Sequence, residues 1–438
     1  MSARIEESGP GMPLHTKILI GLLIGAVVGI AANLTLGGSD PGVVWVNTYL
    51  AGPVGQVFLR MLFMIVMPLV FASIVLGVAG LGDVRKVGRV GGKAIAYFLG
   101  STALAAILGL IIVQIVEPGV GLAPEVKTEL MATFAADAGV KQEQQAAGKF
   151  GVETFVNIVT RNPIKSAADG DMLGVIFFAL LFGAALTMIE RSVAQPMIDV
   201  LTALSEVVVK IVNMAMRIAP YGVAALIFGV CSRFGFALLK PLSVYVITVL
   251  VALTLHVVIT IAAILKFYVG ISPLEYARRI RAVLVTAVST SSSAATLPTA
   301  IEAAVTNLGV PRAVAGFVLP IGTTMCMNGT SLFEGITVIF LCQVFGVELT
   351  LVQMAIVMVM AVITAVGAAG VPGGSIPLLI GILAMFGVPG EGIAIILGVD
   401  RILDMARTVV NVFGDVTATM VVAKSEGAWD ASKLPQST

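Results

Sequence analysis

A hydrocarbon layer about 30 Å thick is crossed by roughly 20 apolar residues wound as an α-helix. Runs of this kind recur along the chain from Lys17 onward, separated by short polar connectors. The first extends to about Leu36, the second covers Val54 to about Leu81, and the third Ala94 to Glu117. A fourth, fifth and sixth lie at about Leu173–Ile189, Leu204–Val230 and Val244–Phe267. The connector Asp83-Val84-Arg85-Lys86-Val87-Gly88-Arg89, with Lys93, is basic, as is Lys266 with Arg278, Arg279 and Arg281. Lysine and arginine collect in cytoplasmic connectors, which places both there. Residues 118–171 are the least apolar part of the core and read as an external loop leading back into the membrane.

The last third is patterned differently. Small-residue runs interrupt its apolar segments at Ser289–Pro298, Gly322–Thr330 and Gly367–Ser375. Glycine and proline break the helical ladder, and broken backbone at membrane depth survives only where protein or a cavity surrounds it. Two of the runs sit at the centres of apolar stretches that rise and fall like helical hairpins, at about 275–305 and 355–388. Paired interruptions point to a transporter's binding site; the plainer alternative is close packing by small residues.

Composition supports the membrane reading. Hydrophobic residues make up 58% and charged residues 12%, with a mean hydropathy of +1.04, whereas soluble domains carry about 25% charged residues. A net charge of +1 argues against nucleic-acid binding. Cys231, Cys326 and Cys342 form neither a disulfide framework nor a CxxC metal site. The first 15 residues hold Glu6, Glu7 and two prolines and lack a secretory cleavage pattern, so a retained, cytosolic N-terminus is expected.

The segment from Gly392 to Lys424 carries charges despite its apolar frame. At about 100° per residue, Asp400, Asp404, Arg407, Thr408, Asn411 and Asp415 fall within roughly 100° of one another, with Arg401 just beside the stripe. Charges at membrane depth cost several kcal/mol and face a cavity or one another. One alternative is an ion-pair seam that only holds the helix in place. Three aspartates against two arginines, however, leave a negative remainder that invites a cation. An arginine can fork onto a carboxylate, and an aspartate three residues earlier can accept an ammonium. Together they suit an acidic amino acid.

Three motifs, spread over about residues 275–424, resemble those of the dicarboxylate/amino acid:cation symporters, the glutamate transporter family. They are Ser291-Ser-Ser-Ala-Ala-Thr-Leu-Pro298, Met327-Asn-Gly-Thr330, and Asp400-x-x-x-Asp404-x-x-Arg407-Thr408-x-x-Asn411-x-x-Gly414-Asp415. The resemblance implies an all-α integral membrane protein with eight transmembrane helices and two re-entrant helical hairpins. It also implies a homotrimer with an elevator motion, and a multi-pass place in the cell membrane with both termini cytoplasmic. The expected division is a cytosolic tail 1–15, scaffold helices 16–88, a third helix 89–117 of the transport domain, and an external loop with scaffold helices 118–240. The main transport domain follows at 241–424, and a cytosolic tail at 425–438.

Carried over residue by residue, the resemblance gives Asp404 the substrate amino group and Arg407 its side-chain carboxylate, supported by Thr330. Asn411 and Ser293, with backbone near Ser291 and Val371, would hold the main-chain carboxylate. Ser292 and Gly373 lie on the same tips, and Thr408 would line the pocket beside Asp404. Helix ends at such tips direct unpaired N–H groups at an anion. Relatives for uncharged amino acids lack the arginine and those for plain dicarboxylates lack the aspartate, so keeping both favours aspartate or glutamate.

Several positions depart from the family pattern. Its usual Asn-Met-Asp-Gly-Thr turn is Cys326-Met327-Asn328-Gly329-Thr330, and a tyrosine of the third span is Phe98, although Ser101 and Thr102 remain. One sodium site is therefore expected to be missing or weak. A second would use Asp415 with backbone oxygens of Gly322 and Asn411. A third would use Thr324 with carbonyls near Ala365, Val366 and Ala368. Glu334 offers a proton in place of one sodium, since a carboxyl withdrawn from water keeps its proton more readily; the alternative is an ion pair with a cation such as Arg401. Ser375, Ala294 and Pro377 also depart from the pattern and leave open the choice among aspartate, glutamate and a related acid. His256 reads either as a proton relay or as a hydrogen-bonded structural residue.

Other classes fit less well. An intramembrane hydrolase would need a base beside Ser291, Ser292 or Ser293, and no GxSxG occurs. An ATP-driven pump would need a GxxxxGK[ST] loop, which is absent. A channel-like anion conductance is the remaining rival, which concentrative uptake would distinguish.

Overall fold

The computed structural model describes residues 12, 14–86, 88–122, 127–128, 159–169, 172–367, 370 and 373–435, and every regular element among them is a helix. α1 (Leu14–Leu36) leads to α2 (Pro41–Val46), which Asp40 starts by accepting from the Gly42 and Val43 amides at 2.8 and 3.3 Å. A π turn at Asn47–Ala51 passes into α3 (Gly52–Phe63), followed by α4 (Val66–Lys86). This corrects the expected single span over 54–81. Helix already begins at Pro41 and is interrupted at Met64 and Ile65, because Pro68 has no N–H with which to continue the ladder.

α5 (Arg89–Val116), α6 (Pro163–Asp169), α7 (Met172–Met188) and α8 (Arg191–Phe234) come next. α9 (Leu239–Leu255) is prolonged by π turns at His256–Ile261 and Ile264–Val269. Most of the expected external loop at 118–171 lies outside the described residues, as do Val371 and Ala368.

The last third is built from shorter pieces. α10 (Pro273–Arg279), α11 (Arg281–Thr290) and α12 (Ser293–Thr306) precede α13 (Arg312–Met325) and α14 (Asn328–Phe345). α15 (Leu351–Gly367), α16 (Ile376–Met385) and the 32-residue α17 (Ala394–Ser425) complete the chain. Each small-residue run breaks a helix. Ser291 is left-handed (φ 49°) and Ser292 caps α12 through the Ala295 amide at 3.1 Å. Cys326 and Met327 separate α13 from α14, and residues 368–375 separate α15 from α16.

By length and composition, six described stretches are able to cross a membrane: Thr16–Leu36, Pro41–Ala79, Arg89–Val116, Arg191–Ala237, Leu239–Val269 and Arg312–Phe345. The shorter α7 and the more polar α17 fall outside that set.

Backbone contact joins α1 to α8. A β-carbon added at Gly21 or Gly25 would stand 2.3 Å from the carbonyl oxygen of Pro220 or Ala224, and one at Gly29 would stand 2.8 Å from Cys231 Cβ. Glycine at every fourth position lets two apolar helices touch along their backbones, where lipid supplies no hydrophobic drive. α17 packs against α1, α5, α8, α9, α11, α12, α13 and α14. Its residues Asp400, Arg401, Asp404, Arg407 and Asp415 are therefore enclosed by protein rather than lipid. The following segment folds back under the 273–306 region, with Trp429 buried and its Nε1 donating to Leu308 O at 2.7 Å.

Candidate functional site

The two interrupted segments meet over α17. Ser292 Oγ donates to Gly370 O at 2.6 Å and the Ala294 amide to the same oxygen at 3.3 Å. Beneath them is a small cavity of about 20 Å³, whose walls include Ser291, Ser293, Thr330, Ser375, Asp404, Arg407, Thr408 and Asn411. Ser291 Oγ and Ser375 Oγ are buried there without hydrogen-bond partners among the described residues. Two orphaned hydroxyls beside a guanidinium suit a polar, anionic guest.

Asp404 and Arg407 share this cavity and also contact each other. Arg407 Nε and Nη2 lie 3.0 and 2.9 Å from Asp404 Oδ1, and Arg407 Nη1 lies 2.9 Å from Asp400 Oδ1. The guanidinium also stacks over the Phe333 ring, 4.2 Å from its centroid. Asp404 Oδ2 accepts from Arg401 Nη1 at 3.3 Å and from the Gly373 amide at 3.2 Å, where Gly373 is left-handed (φ 73°). A side chain would be strained at that φ, so glycine suits the tip. Both aspartates and both arginines are at least nine-tenths buried. A buried charge without a partner is strongly destabilising, which is why the row closes on itself. Asp404 and Arg407 are thus in mutual contact, but directly beneath both tips.

Asn411 and Thr330 knit α17 to the broken helix. Asn411 Oδ1 accepts from the Gly329 and Thr330 amides at 2.8 and 3.3 Å, while its Nδ2 donates to Thr330 Oγ1 at 3.0 Å. Thr408 Oγ1 bonds back to Asp404 O at 2.7 Å.

The aspartate left over once the two arginines are paired is Asp415. Its Oδ1 is buried without a partner, and a β-carbon at Gly322 would come within 2.7 Å of it. Glycine at 322 leaves that oxygen room. Nearby, Asn328 Oδ1 accepts from Ser101 Oγ at 3.2 Å and Thr102 Oγ1 at 2.9 Å, while its Nδ2 is buried and unpaired. Cys326 Sγ lies 3.8 Å from the same oxygen, and Phe98 is buried beside Gly322. Thr324 is exposed, with Oγ1 on Ile321 O at 3.1 Å; Ala365 is buried and Val366 half-buried. Among the described residues no three His, Cys, Asp or Glu side chains converge. An ion held at Asp415 would therefore draw its other ligands from carbonyl and hydroxyl oxygens, which is the donor set that Na⁺ prefers.

Glu334 is fully buried, with Oε2 accepting from Thr364 Oγ1 at 2.7 Å and Oε1 unpaired. The alternative of an ion pair with Arg401 is corrected: Arg401 spends its charge on Asp404. His256 is buried at the start of a π turn with neither ring nitrogen hydrogen-bonded, so the structural role by hydrogen bonding is not realised. Sequence reasoning also missed Phe333 beneath Arg407 and Thr364 beside Glu334; neither stands within a recognisable motif.

The sequence profile of the sodium:dicarboxylate symporter family matches residues 14–425. The chain is 36% identical over 425 residues to the proton/sodium-glutamate symport protein of Geobacillus stearothermophilus, covering 97% of both chains. It is 34% identical to the proton/glutamate-aspartate symporter of Escherichia coli, over 96% of this chain and 94% of that one. A C4-dicarboxylate transport protein of Bacillus subtilis is also 34% identical, over 96% and 95%.

Proposed function

The chain belongs to the sodium:dicarboxylate symporter family, and from that premise we propose that it carries an acidic amino acid, aspartate or glutamate, across the cell membrane together with a cation. One observation carries the reading. Asp404 and Arg407 of α17 line a small cavity under two touching tips, with orphaned hydroxyls at hand. The names of the relatives, glutamate, aspartate and C4-dicarboxylate transporters, support the substrate class, and the family is one of transporters, not enzymes.

Binding is an exchange of partners. The substrate ammonium replaces Arg407 on Asp404, and a substrate carboxylate replaces Asp404 on Arg407. Thr330 supports the carboxylate on Arg407, while Ser293, Asn411 and the tip backbone near Ser291 and Val371 receive the main-chain carboxylate, with Ser292 and Gly373 on the same tips and Thr408 beside Asp404. Every buried charge keeps a partner before and after, so the gain comes from fit.

Coupling uses Asp415 with oxygens of Gly322 and Asn411 for sodium, and Glu334 for a proton. The set at Thr324, Ala365, Val366 and Ala368 is a second sodium site, while Phe98, Cys326 and Asn328 remove a third. Residues 89–117 and 241–424 move as the transport domain past the scaffold of a homotrimer, in an elevator motion with both termini cytoplasmic. The test is uptake of labelled aspartate, glutamate, serine and succinate by proteoliposomes, with sodium and pH gradients imposed separately. Failure to concentrate either acidic amino acid under any of these gradients refutes the proposal.

A further inference from the structure

We propose that residues 427–435 form a releasable strap that holds α12 down on α17, and that loosening it lets the tip at Ser291–Ser293 lift from the pocket; this rests on the pocket proposed above.

α11 and α12 lie on α17 through a shallow contact. The buried residues they bring to the apolar cluster shared with α17 are Val283 and four alanines, at 287, 300, 303 and 304. Alanine offers few atoms for packing. The cluster also holds Trp429, which is 1% exposed and the largest fully buried side chain described. Gly427, left-handed at φ 67°, turns the chain back after α17, with the Gly427 and Ala428 amides donating to Lys424 O and Ala423 O at 2.9 Å. Trp429 Nε1 then donates to Leu308 O at 2.7 Å, just beyond α12, and Leu434 packs on the same cluster. At the far end, Arg279 Nη1 donates at 2.9 Å to both Pro435 O and Asn307 O, while Asn307 Nδ2 donates to Arg279 O at 2.8 Å. The strap thus ties together the ends of α10, α12 and α17.

Its leverage comes from length. α12 has 14 residues and is about 21 Å long at about 1.5 Å per residue. A tilt of about 6° around its Leu308 end therefore moves its Ser293 end by about 2 Å. That parts Ser292 Oγ from Gly370 O, now 2.6 Å away, beyond hydrogen-bond range. The strap is also lightly held. Ala431 and Ser432 are exposed, and Trp429 is the only buried side chain described between residues 427 and 435. A segment anchored in this way detaches locally far more readily than the whole protein unfolds.

Hydrogen exchange and aspartate release test the strap in purified Trp429→Ala, Trp429→Phe and a chain ended after Gly427. Trp429→Phe keeps a ring but loses the donor to Leu308 O. Amides of residues 281–306 should exchange at least about ten-fold faster in Trp429→Ala and in the shortened chain. The change should be smaller in Trp429→Phe, and α8 and α14 should exchange as in wild type. Labelled aspartate should leave the protein faster in the same order, and a peptide of residues 427–438 added to the shortened chain should slow both processes. A segment that merely braces the fold would speed exchange everywhere and show no local pattern. Uniform acceleration overturns the strap, as does unchanged exchange at 281–306 in Trp429→Ala, or faster exchange there with aspartate release at the wild-type rate. Where Trp429→Ala and the shortened chain fail to fold, unchanged local exchange in Trp429→Phe overturns it. Wild type that binds neither acidic amino acid overturns the transport reading instead, and the exchange rates still decide the strap.

Discussion

Replacing Arg407 with methionine removes three contacts at once: two to Asp404 and one to Asp400. The two aspartates do not suffer equally. Asp404 still has Arg401 and the Gly373 amide, whereas the only described partner of the Asp400 side chain is Arg407 itself. Stripping one partner from a buried ion pair costs about 3–5 kcal/mol, and here Asp400 bears that loss. Adding Asp400→Asn converts a buried charge into a buried amide, for which an unsatisfied group costs about 1–3 kcal/mol. The double variant should therefore melt above the single one in detergent, though below wild type. Binding should not follow stability. A forked guanidinium–carboxylate contact comprises two charge-assisted hydrogen bonds of about 1.5–3 kcal/mol each, so both variants should lose aspartate affinity by at least about 100-fold. Thermal melting of purified protein and competition for labelled aspartate measure the two effects separately. Wild-type aspartate affinity in the double variant, or a single variant as stable as wild type, would refute this account of the cluster.

Three other substitutions address different parts of the molecule. Asp415→Asn should lower the apparent sodium affinity by about ten-fold or more with little effect on folding, since Oδ1 has no protein partner to lose; a sodium titration of uptake unchanged from wild type would count against the site. Glu334→Gln keeps an oxygen for Thr364 Oγ1 but cannot exchange a proton, so uptake driven by a pH gradient alone should vanish, and uptake that persists excludes Glu334 as the proton carrier. Gly25→Leu drives a side chain into the Ala224 carbonyl, where even a β-carbon would sit at 2.3 Å, and should abolish the monodisperse peak on size-exclusion chromatography; a normal elution profile would show that α1 and α8 can separate without penalty.

How much the sequence revealed depended on whether a feature was local. The breaks at Ser291, Cys326 and residues 368–375 were legible because small residues and proline weaken the helix where they stand. The row from Asp400 to Asp415 was legible because helical angle alone puts those residues on one stripe. Thr364 was not, since its bond to Glu334 joins residues thirty positions apart on different helices. Nor was the contact between Ser292 and Gly370, which depends on how two separate segments fold together. The glycine seam at Gly21, Gly25 and Gly29 could have been found, for its every-fourth spacing lies open in the sequence. The early start at Pro41 and the break before Pro68 were also written there, under a hydropathy trace that smoothed over both.

The closed charge row bears on transport as well as binding. A carrier that works by moving a site across the membrane must make the return journey empty, and an empty site of bare charges would be costly at membrane depth. Here Asp404 and Arg407 occupy each other, so the protein supplies to itself the pairings that the proposed substrate would supply when bound. An acidic amino acid brings a single net negative charge, which a co-bound cation would offset, so loaded and empty sites then present similar charge and the barrier to movement need not differ greatly between them. The same economy limits affinity, because each contact made with the substrate replaces one already present. Selectivity must come from what the internal pair cannot satisfy, chiefly the orphaned hydroxyls of Ser291 and Ser375. Those two side chains, more than the charges, should therefore decide which acid fits best.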